Sequence, residues 1–342
     1  MEAESESGAR GFGEGCPREY VTGETVATAL EFVRRVQPDV LRIGSLGELR
    51  AWVDAQRDLI DANPSAWCAV ELALLDVLAR DAGRSVEDLL SLPSISGPFR
   101  YSAVLGAEEP NTFKANLQRF RSMDFRDFKV KLCGNPETDS ARMAILAADK
   151  ESIDALRFDA NNLWKDPQAA LDYLRKLETP FFAVEEPLAP RRYAELGVLA
   201  DSLPARIILD ESFLQLAQFD HLKFHPGRWI LNLRISKLGG LLRSLAVMER
   251  AHAEGIPFIV GCQVGETSVL TRAALTLAQA SQHRGLTAQE GAFGTHLLQR
   301  DVIKNPLMFG AEGRLEVIDR DFPRQPGFGL NPEHFDDSDW LE

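Results

Sequence analysis

The chain has 342 residues, of which 45% are hydrophobic and 26% are charged, and 38 basic against 51 acidic side chains give a net charge of −13. This composition is that of a folded globular protein and excludes a wholly disordered chain. The acidic balance argues against nucleic acid as a partner, because binding phosphate groups requires clustered lysine and arginine. No run of about 18 apolar residues occurs, so we expect no membrane span.

The start of the chain and the cysteines indicate the compartment. Residues 1–15 are acidic and glycine-rich and lack the basic and apolar segments of a signal peptide. The cysteines lie far apart without a CxxC pair, which is typical of reduced, buried thiols: Cys16, Cys68, Cys133 and Cys262. We therefore expect a cytoplasmic protein.

Helical patterns come first along the chain. Residues 51–62 are predicted to form one helix, and the strongly apolar segment 65–83 is predicted to form a second. We expect residues 1–95 to form a small accessory domain together with this linking helix. The C-terminal segment, residues 301–342, is expected to return to that domain.

From residue 97 onwards, short β-branched and aromatic runs alternate with amphipathic helical stretches, which favours parallel strands joined by helices. The predicted strands lie within 97–106, 125–132, 154–161, 180–187, 205–212, 228–236, 256–263 and 286–294. Eight such units favour a (β/α)8-type barrel over residues 96–300. A doubly wound sheet would usually carry a glycine-rich phosphate turn, and neither GxGxxG nor GxxxxGK[ST] occurs.

Three consecutive predicted strands end in a carboxylate, namely Asp159 in FDAN, Glu185 in VEEP and Asp210 in LDES. In a barrel of this kind such residues face inward at the end that carries the active site. Three acids gathered there would repel one another unless a cation neutralises them, and oxygen ligands without His or Cys favour Mg²⁺. The alternative is that each acid caps the following helix or pairs with a nearby arginine.

The strand before these acids carries two lysines in the sequence FKVKL. Because side chains alternate along a strand, Lys129 and Lys131 share one face and the apolar residues take the other. The outer face of a barrel packs against helices, so the lysines are predicted to point into the barrel. A lysine beside a cation site can act as a base; the alternative is a solvated pair on an edge strand.

The motifs KVK, DAN, EEP and DES at these spacings resemble the enolase superfamily, in particular its muconate-lactonizing and dipeptide-epimerase branch. The segments GFGEGCPREYVTGET (11–25) and GRWILNLRISKLGG (227–240) resemble the same branch, so the likeness extends over roughly residues 11–335. It implies a TIM-type (β/α)7β barrel with an α+β capping domain. It also implies a Mg²⁺-dependent enzyme that removes the α-proton of a small carboxylate substrate to form an enediolate.

The resemblance also assigns roles to residues. Asp159, Glu185 and Asp210 match the Mg²⁺ ligands, and Lys131 matches the acid/base, with Lys129 assisting through its like charge. Glu186 and Glu211 match supporting positions, and Asn161 in DAN is a further candidate for such a role. Independently of the resemblance, two residues at strand ends are candidates for contact with the substrate, namely Glu266 and Glu290. Glu266 and Glu290 follow the seventh and eighth strands. They are expected either to contact the distal group of the substrate or to compensate the partial positive charge at a helix N-terminus.

Two features depart from the pattern of the branch. The sixth strand usually carries a lysine where this chain has Arg234, which is expected in the site, whereas Lys237 is expected to face the other side of the strand. An arginine hardly ever exchanges protons, so the sequence predicts one-base chemistry through Lys131. Family members also carry some tens of residues ahead of GFGEG, so the capping domain is expected to be incomplete at its N-terminal side.

These observations leave several functions open. An isomerase reaction (racemase, epimerase or cycloisomerase) is what the branch usually implies. A one-base β-elimination, of the o-succinylbenzoate synthase or dehydratase kind, fits a single lysine. A third alternative is a catalytically silent barrel, because of Arg234 and the short cap. In each case we expect a small-molecule carboxylate ligand and no nucleic acid or membrane partner, and a homo-oligomer is compatible with the sequence.

Overall fold

The structure is a computed structural model that describes residues 1–148, 153–317 and 320–333. The end of the predicted C-terminal segment, residues 334–342, lies outside the described residues. The N-terminal part contains an antiparallel pair of strands followed by helices. These elements are β1 (Glu2–Glu4), β2 (Arg10–Phe12), α1 (Glu19–Thr22), α2 (Val26–Val40), α3 (Leu46–Ala55), α4 (Arg57–Asp61), α5 (Pro64–Asp81) and α6 (Val86–Leu90).

The two helices predicted in this part are present, with one correction. The predicted helix 51–62 is divided between α3 and α4, because the backbone of Gln56 leaves helical geometry at φ −108° and ψ 28°. Helix α5 begins with Pro64, which suits a first helical turn because proline has no N–H to offer. The ring of Trp67 in α5 stacks on that of Trp52 in α3 at 4.1 Å, and α5 is buried on nearly all sides. It is the core helix of this part of the molecule.

The predicted parallel sheet is confirmed. Its strands are β4 (Ala103–Leu105), β5 (Asp127–Lys131), β6 (Ala155–Asp159), β7 (Ala183–Glu185), β8 (Arg206–Leu209), β9 (Trp229–Leu233), β10 (Phe258–Val260) and β11 (Leu286–Gln289). Among the described residues these eight strands pair in sequence order, each parallel to the next. The predicted strand 97–106 is split, because β3 (Phe99–Arg100) pairs instead with β12 (Arg314–Leu315), and antiparallel.

Helices follow the strands of the sheet along the chain. They are α7 (Pro110–Ser122), α8 (Pro136–Ala147), α9 (Pro167–Lys176), α10 (Tyr193–Asp201), α11 (Phe219–Leu222), α12 (Ile235–Leu238), α13 (Leu241–Ala253) and α14 (Ser268–Ala280). Side chains on the outer face of the strands join the main hydrophobic core with these helices. No helix in the described part of the chain is long and apolar enough to cross a membrane.

The sheet curls until its two edges meet. The N–H of Ser102, just before β4, donates to the carbonyl oxygen of Gln289 in β11 at 2.8 Å. A small apolar cluster fills part of the inner face: Ala183, Ile208, Ile230, Ile259 and Ala288. Because side chains alternate along strands, the residues two positions further along face the same interior, at the C-terminal ends of the strands. The carboxylates discussed below, on Asp159, Glu185, Asp210 and Glu290, therefore lie in the next layer above this apolar cluster, whereas Lys129 and Arg157 are in register with Ala183.

Candidate active site

The strand register places the predicted site residues side by side. Lys131 pairs with Asp159 across β5 and β6, and Asp159 pairs with Glu185 across β6 and β7. Asp210 directly follows β8, two residues after the inward-facing Ile208. The three acids are almost completely buried, whereas Lys131 is half-buried at the strand end.

Lys129 lies deeper in the curled sheet and contacts three carboxylates. Its Nζ is 2.6 Å from Glu185 Oε2 and 3.1 Å from both Asp159 Oδ2 and Glu290 Oε2. Burial disfavours the ammonium, but the charges of these acids outweigh it and hold the pKa of Lys129 well above its usual value. Lys129 is therefore a fixed cation at the centre of the acid cluster.

Glu290 belongs to this interior network. Its Oε1 accepts hydrogen bonds from Nε and Nη2 of Arg157 at 3.2 and 2.7 Å, and Arg157 Nη1 donates to Asp127 at 2.7 Å. Burial alone would raise the pKa of Glu290, but Lys129 and Arg157 lower it to about 2. Both carboxylate oxygens thus face cations of the protein. The sequence had suggested substrate contact or helix compensation for Glu290, and neither describes this arrangement. Arg157 and Asp127 were not identified as site residues from the sequence, although their period-two spacing to Asp159 and Lys129 places them on the same face.

Arg234 points into the site and contacts two of the acids. Its Nη2 contacts Asp210 Oδ2 and lies 3.5 Å from Glu185 Oε1, while Nη1 donates to Gln263 Oε1 at 3.0 Å. Burial opposes the guanidinium charge, but Asp210 and Glu185 outweigh burial and raise the pKa of Arg234 further. Arg234 is therefore a permanent positive charge in the site, and Gln263, which the sequence reasoning missed, orients it.

The expectation that Lys237 faces away from the site is wrong. Its Nζ donates to Asp210 Oδ1 at 2.9 Å, to the Asp210 carbonyl at 2.8 Å and to the Asn232 carbonyl at 2.7 Å. The strand ends at Leu233, and the short helix α12 then turns Lys237 back towards Asp210. The period-two rule fails here because the residue is no longer in a strand.

Glu186 and Glu211 each directly follow one of the proposed ligands, Glu185 and Asp210. Both oxygens of Glu186 are used: Oε1 accepts the N–H groups of Asp210 and Ser212 at 2.7 Å each, and Oε2 accepts the Ser212 hydroxyl at 2.8 Å. Burial raises the pKa of Glu186 to about 8. Burial, together with the charge of Asp210, raises the pKa of Glu211 to about 6. Glu186 thus fixes the backbone that carries Asp210.

Asn161 and Glu266 were the remaining predicted residues. The side chain of Asn161 is exposed, and its backbone N–H donates to Asp159 Oδ1 at 3.1 Å. Glu266 Oε1 accepts the N–H of Gln263 at 2.6 Å, and burial raises the pKa of Glu266 to about 8. The nearby N-terminus of α14 is instead bound by Glu14, which accepts the N–H groups of Thr267 at 2.8 Å and Leu270 at 2.9 Å. The N-terminus of α14 is therefore compensated by Glu14, which was not among the residues predicted from the sequence.

The three acids suit a divalent cation by their chemistry. Among the described residues, no three Asp, Glu, His or Cys side chains are arranged as ligands of one metal ion. The reason is that Lys129 and Arg234 lie between the acids. The donor set itself consists of carboxylate oxygens on three neighbouring strands, and burial raises the pKa of Glu185 in spite of Lys129. A hard cation such as Mg²⁺ fits this set, because it binds carboxylates and offsets their mutual repulsion.

Comparison with known proteins agrees with this geometry. Residues 112–336 match the sequence profile of the family described as "Enolase C-terminal domain-like". The chain belongs to this family. It is 29% identical over 338 residues to the L-Lys-D/L-Arg epimerase of Methylococcus capsulatus. This alignment covers 96% of this chain and 90% of the relative. It is also 29% identical to the chloromuconate cycloisomerase of Cupriavidus pinatubonensis, over 78% of this chain and 70% of the relative.

A solved structure supports the same assignment. The dipeptide epimerase of Enterococcus faecalis V583, crystallised with Mg and the dipeptide L-Leu-L-Tyr, superposes with a TM-score of 0.82 at 25% identity. The match covers 96% of this chain and 90% of that chain. The resemblance to the muconate-lactonizing and dipeptide-epimerase branch is thereby confirmed, and the protein is an isomerase of the enolase superfamily.

Proposed function

We propose that this isomerase transfers a proton at the α-carbon of a small carboxylate substrate with Lys131, on one face of the enediolate only. Lys131 removes the proton when a group leaves the neighbouring carbon, and delivers it when that group adds. A reaction of the cycloisomerase type meets this description, because a group adds to or leaves a neighbouring carbon while a single proton moves at the α-carbon. The observation that carries the proposal is the ion-paired Arg234, which contacts Asp210 and Glu185 where a second base would have to stand.

Lys131 is the residue to which we assign the role of the base. It stands at the end of β5 beside Asp159 and makes no ion pair or hydrogen bond through its Nζ with the residues that the structure describes. Lys129, by contrast, is held by three carboxylates and keeps its proton. The proton at the substrate therefore passes to and from Lys131 Nζ, while Lys129 supplies a constant positive charge.

Neither of the two cations that contact Asp210 from the sixth-strand segment, Arg234 and Lys237, is suited to act as a second base on the opposite face. Arg234 stays protonated at any working pH. Lys237 directs its ammonium at three oxygens, two of which are backbone carbonyls, so each of its hydrogens is already engaged. An epimerase needs one group that removes the proton and another that returns it from the other side, whereas a cycloisomerase does not.

We further propose that Asp159, Glu185 and Asp210 hold one Mg²⁺. When bound, the ion supplies positive charge that favours binding of the substrate carboxylate and the negative charge of the enediolate. Glu186 keeps the Asp210 backbone in place through its three accepted hydrogen bonds. The alternation of strands and helices and the Ser102–Gln289 bond support a (β/α)7β barrel over residues 96–300, with residues 1–95 and 301–342 as the cap.

Two-base epimerisation is the second candidate, because the M. capsulatus relative and the E. faecalis structure are named epimerases. Turnover in D₂O separates the two functions. A panel of dipeptides and muconate-type dicarboxylates is incubated with the protein and Mg²⁺ and followed by proton NMR. One-face chemistry predicts deuterium at the α-carbon with retained configuration, or lactone formation. Rapid deuteration of both enantiomers with inversion would contradict the proposal and support epimerisation.

A further inference from the structure

The carboxylates proposed to hold Mg²⁺ already face cations of the protein. Glu185 Oε2 faces Lys129, and Glu185 Oε1 faces Asn232 Nδ2 at 2.8 Å as well as Arg234. Asp210 Oδ1 faces Lys237, and Asp210 Oδ2 contacts Arg234. Because Nη2 of Arg234 touches both carboxylates, it lies in the space between them. An ion held by Glu185 and Asp210 together would compete with the guanidinium for this space.

The three cations differ in how firmly they are held. Lys237 has a fully buried side chain with two backbone carbonyls among its acceptors. Lys129 is 3% exposed and is also bound by Glu290, which is not among the proposed ligands. Arg234 is 11% exposed, its further partner is the neutral amide of Gln263, and its Nε has no hydrogen-bond partner among the described residues. Arg234 is thus the cation most easily moved.

We infer that Arg234 is an exchangeable internal counter-ion, which neutralises Glu185 and Asp210 before Mg²⁺ binds and is displaced when it binds. The inference rests on the proposed Mg²⁺ site and adds to it a competition within the protein. Mg²⁺ must break the contacts of the guanidinium with two carboxylates, so its affinity is lower than the three acids alone would give. In return, the acid cluster stays neutralised, and the fold stays stable, when Mg²⁺ is scarce.

The test is titration calorimetry of the whole chain with MgCl₂. Arg234→Met removes the charge and keeps an unbranched side chain. We expect it to bind Mg²⁺ at least about tenfold more tightly than the parent, since hydrogen bonds to charged groups are each worth about that factor. The control is Arg228→Met, which removes a half-exposed arginine next to the opposite end of β9, paired with Asp201. Its Mg²⁺ affinity should stay within about twofold of the parent, because distant exposed charges are screened.

Equal or weaker Mg²⁺ binding by Arg234→Met, with the parent binding normally, overturns the inference and leaves the proposed function intact. No Mg²⁺ binding by either protein overturns the proposed Mg²⁺ site and the inference with it. If Arg234→Met does not fold, Arg234→Gln provides the same comparison. Thermal unfolding adds a second readout: without Mg²⁺ the variant should melt below the parent, and saturating Mg²⁺ should narrow the difference. A difference that Mg²⁺ leaves unchanged also overturns the inference.

Discussion

The guanidinium of Arg157 holds the carboxylate of Glu290 through two hydrogen bonds, from Nε at 3.2 Å and from Nη2 at 2.7 Å. Arg157 comes from β6, and Glu290 directly follows β11 at the other edge of the sheet. The other oxygen of Glu290 reaches Lys129. One carboxylate therefore connects the last strand to two strands near the first, inside the curl of the sheet.

Glu290→Gln tests this connection through stability. Removing one partner of a buried ion pair leaves Lys129 and Arg157 short of negative charge, so we expect a loss of about 3–5 kcal/mol in unfolding free energy. Urea unfolding measures it. The control is Glu312→Gln, whose carboxylate pairs on the surface with Arg100, and it should lose less than about 1 kcal/mol. Equal losses of unfolding free energy in both variants would show that the buried ion pairs of Glu290 stabilise the fold no more than a surface ion pair does.

Asp159→Asn tests the proposed Mg²⁺ site from the side that Arg234 does not touch. Losing one of three charged ligands should weaken Mg²⁺ binding at least about tenfold, because carboxylates supply the charge that holds the ion. Calorimetry with MgCl₂ is the measurement. Asp166→Asn makes the same change at the exposed N-cap of α9 and should leave the affinity unaltered. An unaltered affinity in Asp159→Asn would exclude this residue as a ligand.

Lys131→Met tests the base. We expect α-proton exchange to fall by about 10²–10⁴-fold, the usual contribution of a general base, while Mg²⁺ affinity stays close to that of the parent. NMR in D₂O follows the exchange, and calorimetry follows the metal. Lys114→Met on α7 serves as the matched control and should exchange at the parent rate. If Lys131→Met also exchanges at that rate, another group is the base.

Arg234→Lys tests why the chemistry is restricted to one face. A lysine at this position can lose a proton where a guanidinium cannot, so the variant should interconvert the enantiomers of an accepted substrate. The parent should do so slowly or not at all. Polarimetry or chiral chromatography of the product measures this change. Fast interconversion by the parent itself would contradict the role given to Arg234.

The buried Glu71 gives a pH dependence that is independent of the site. It accepts the N–H of Leu242 at 2.9 Å and the indole N–H of Trp67 at 3.2 Å, and burial raises its pKa from 4.5 to about 7. The folded chain therefore binds this proton more tightly than the unfolded chain, so stability falls as pH rises from 4.5 to 7 and is level above it. Glu71 accounts for at most about 3 kcal/mol of this loss in unfolding free energy.

Glu71→Gln should remove the contribution of Glu71 to the pH dependence of stability. Urea unfolding at about pH 5 and about pH 8 should show a smaller loss of stability in the variant than in the parent. The amide can accept only one of the two hydrogen bonds, so we also expect an additional loss that does not depend on pH. Glu249→Gln, on the surface beside Arg284, should keep the pH dependence of the parent. A variant with the same pH dependence as the parent would show that Glu71 titrates normally.

Alternation along the strands explains how much of the site was predictable. Lys131, Asp159 and Glu185 each end a strand with the right parity, and the parallel register then brings them into one row. That much needs only period two and a repeated strand-then-helix pattern. Arg234 was expected in the site because of the resemblance, and it contacts Asp210 from just beyond the end of the sixth strand.

The rest depends on contacts that no local pattern encodes. Lys237 lies beyond the strand, and its direction is set by one turn of helix rather than by alternation. The parity of Glu290 and Arg157 indicates that both face inward, but not that they meet, because this depends on the curl of the whole sheet. Glu14 reaches α14 from the far N-terminal part, a contact between residues more than 250 positions apart.

The bond between Arg157 and Glu290 also bears on the order of events during synthesis. Because β11 is made after all the other strands of the sheet, a nascent chain that ends before residue 286 holds Lys129 and Arg157 without their common carboxylate. Until β11 docks, Arg157 keeps Asp127 as its partner, and Lys129 keeps Asp159 and Glu185. The contacts that join the last strand of the sheet to β5 and β6 can therefore form only after residue 290 has been made, and a chain cut short before this strand lacks them.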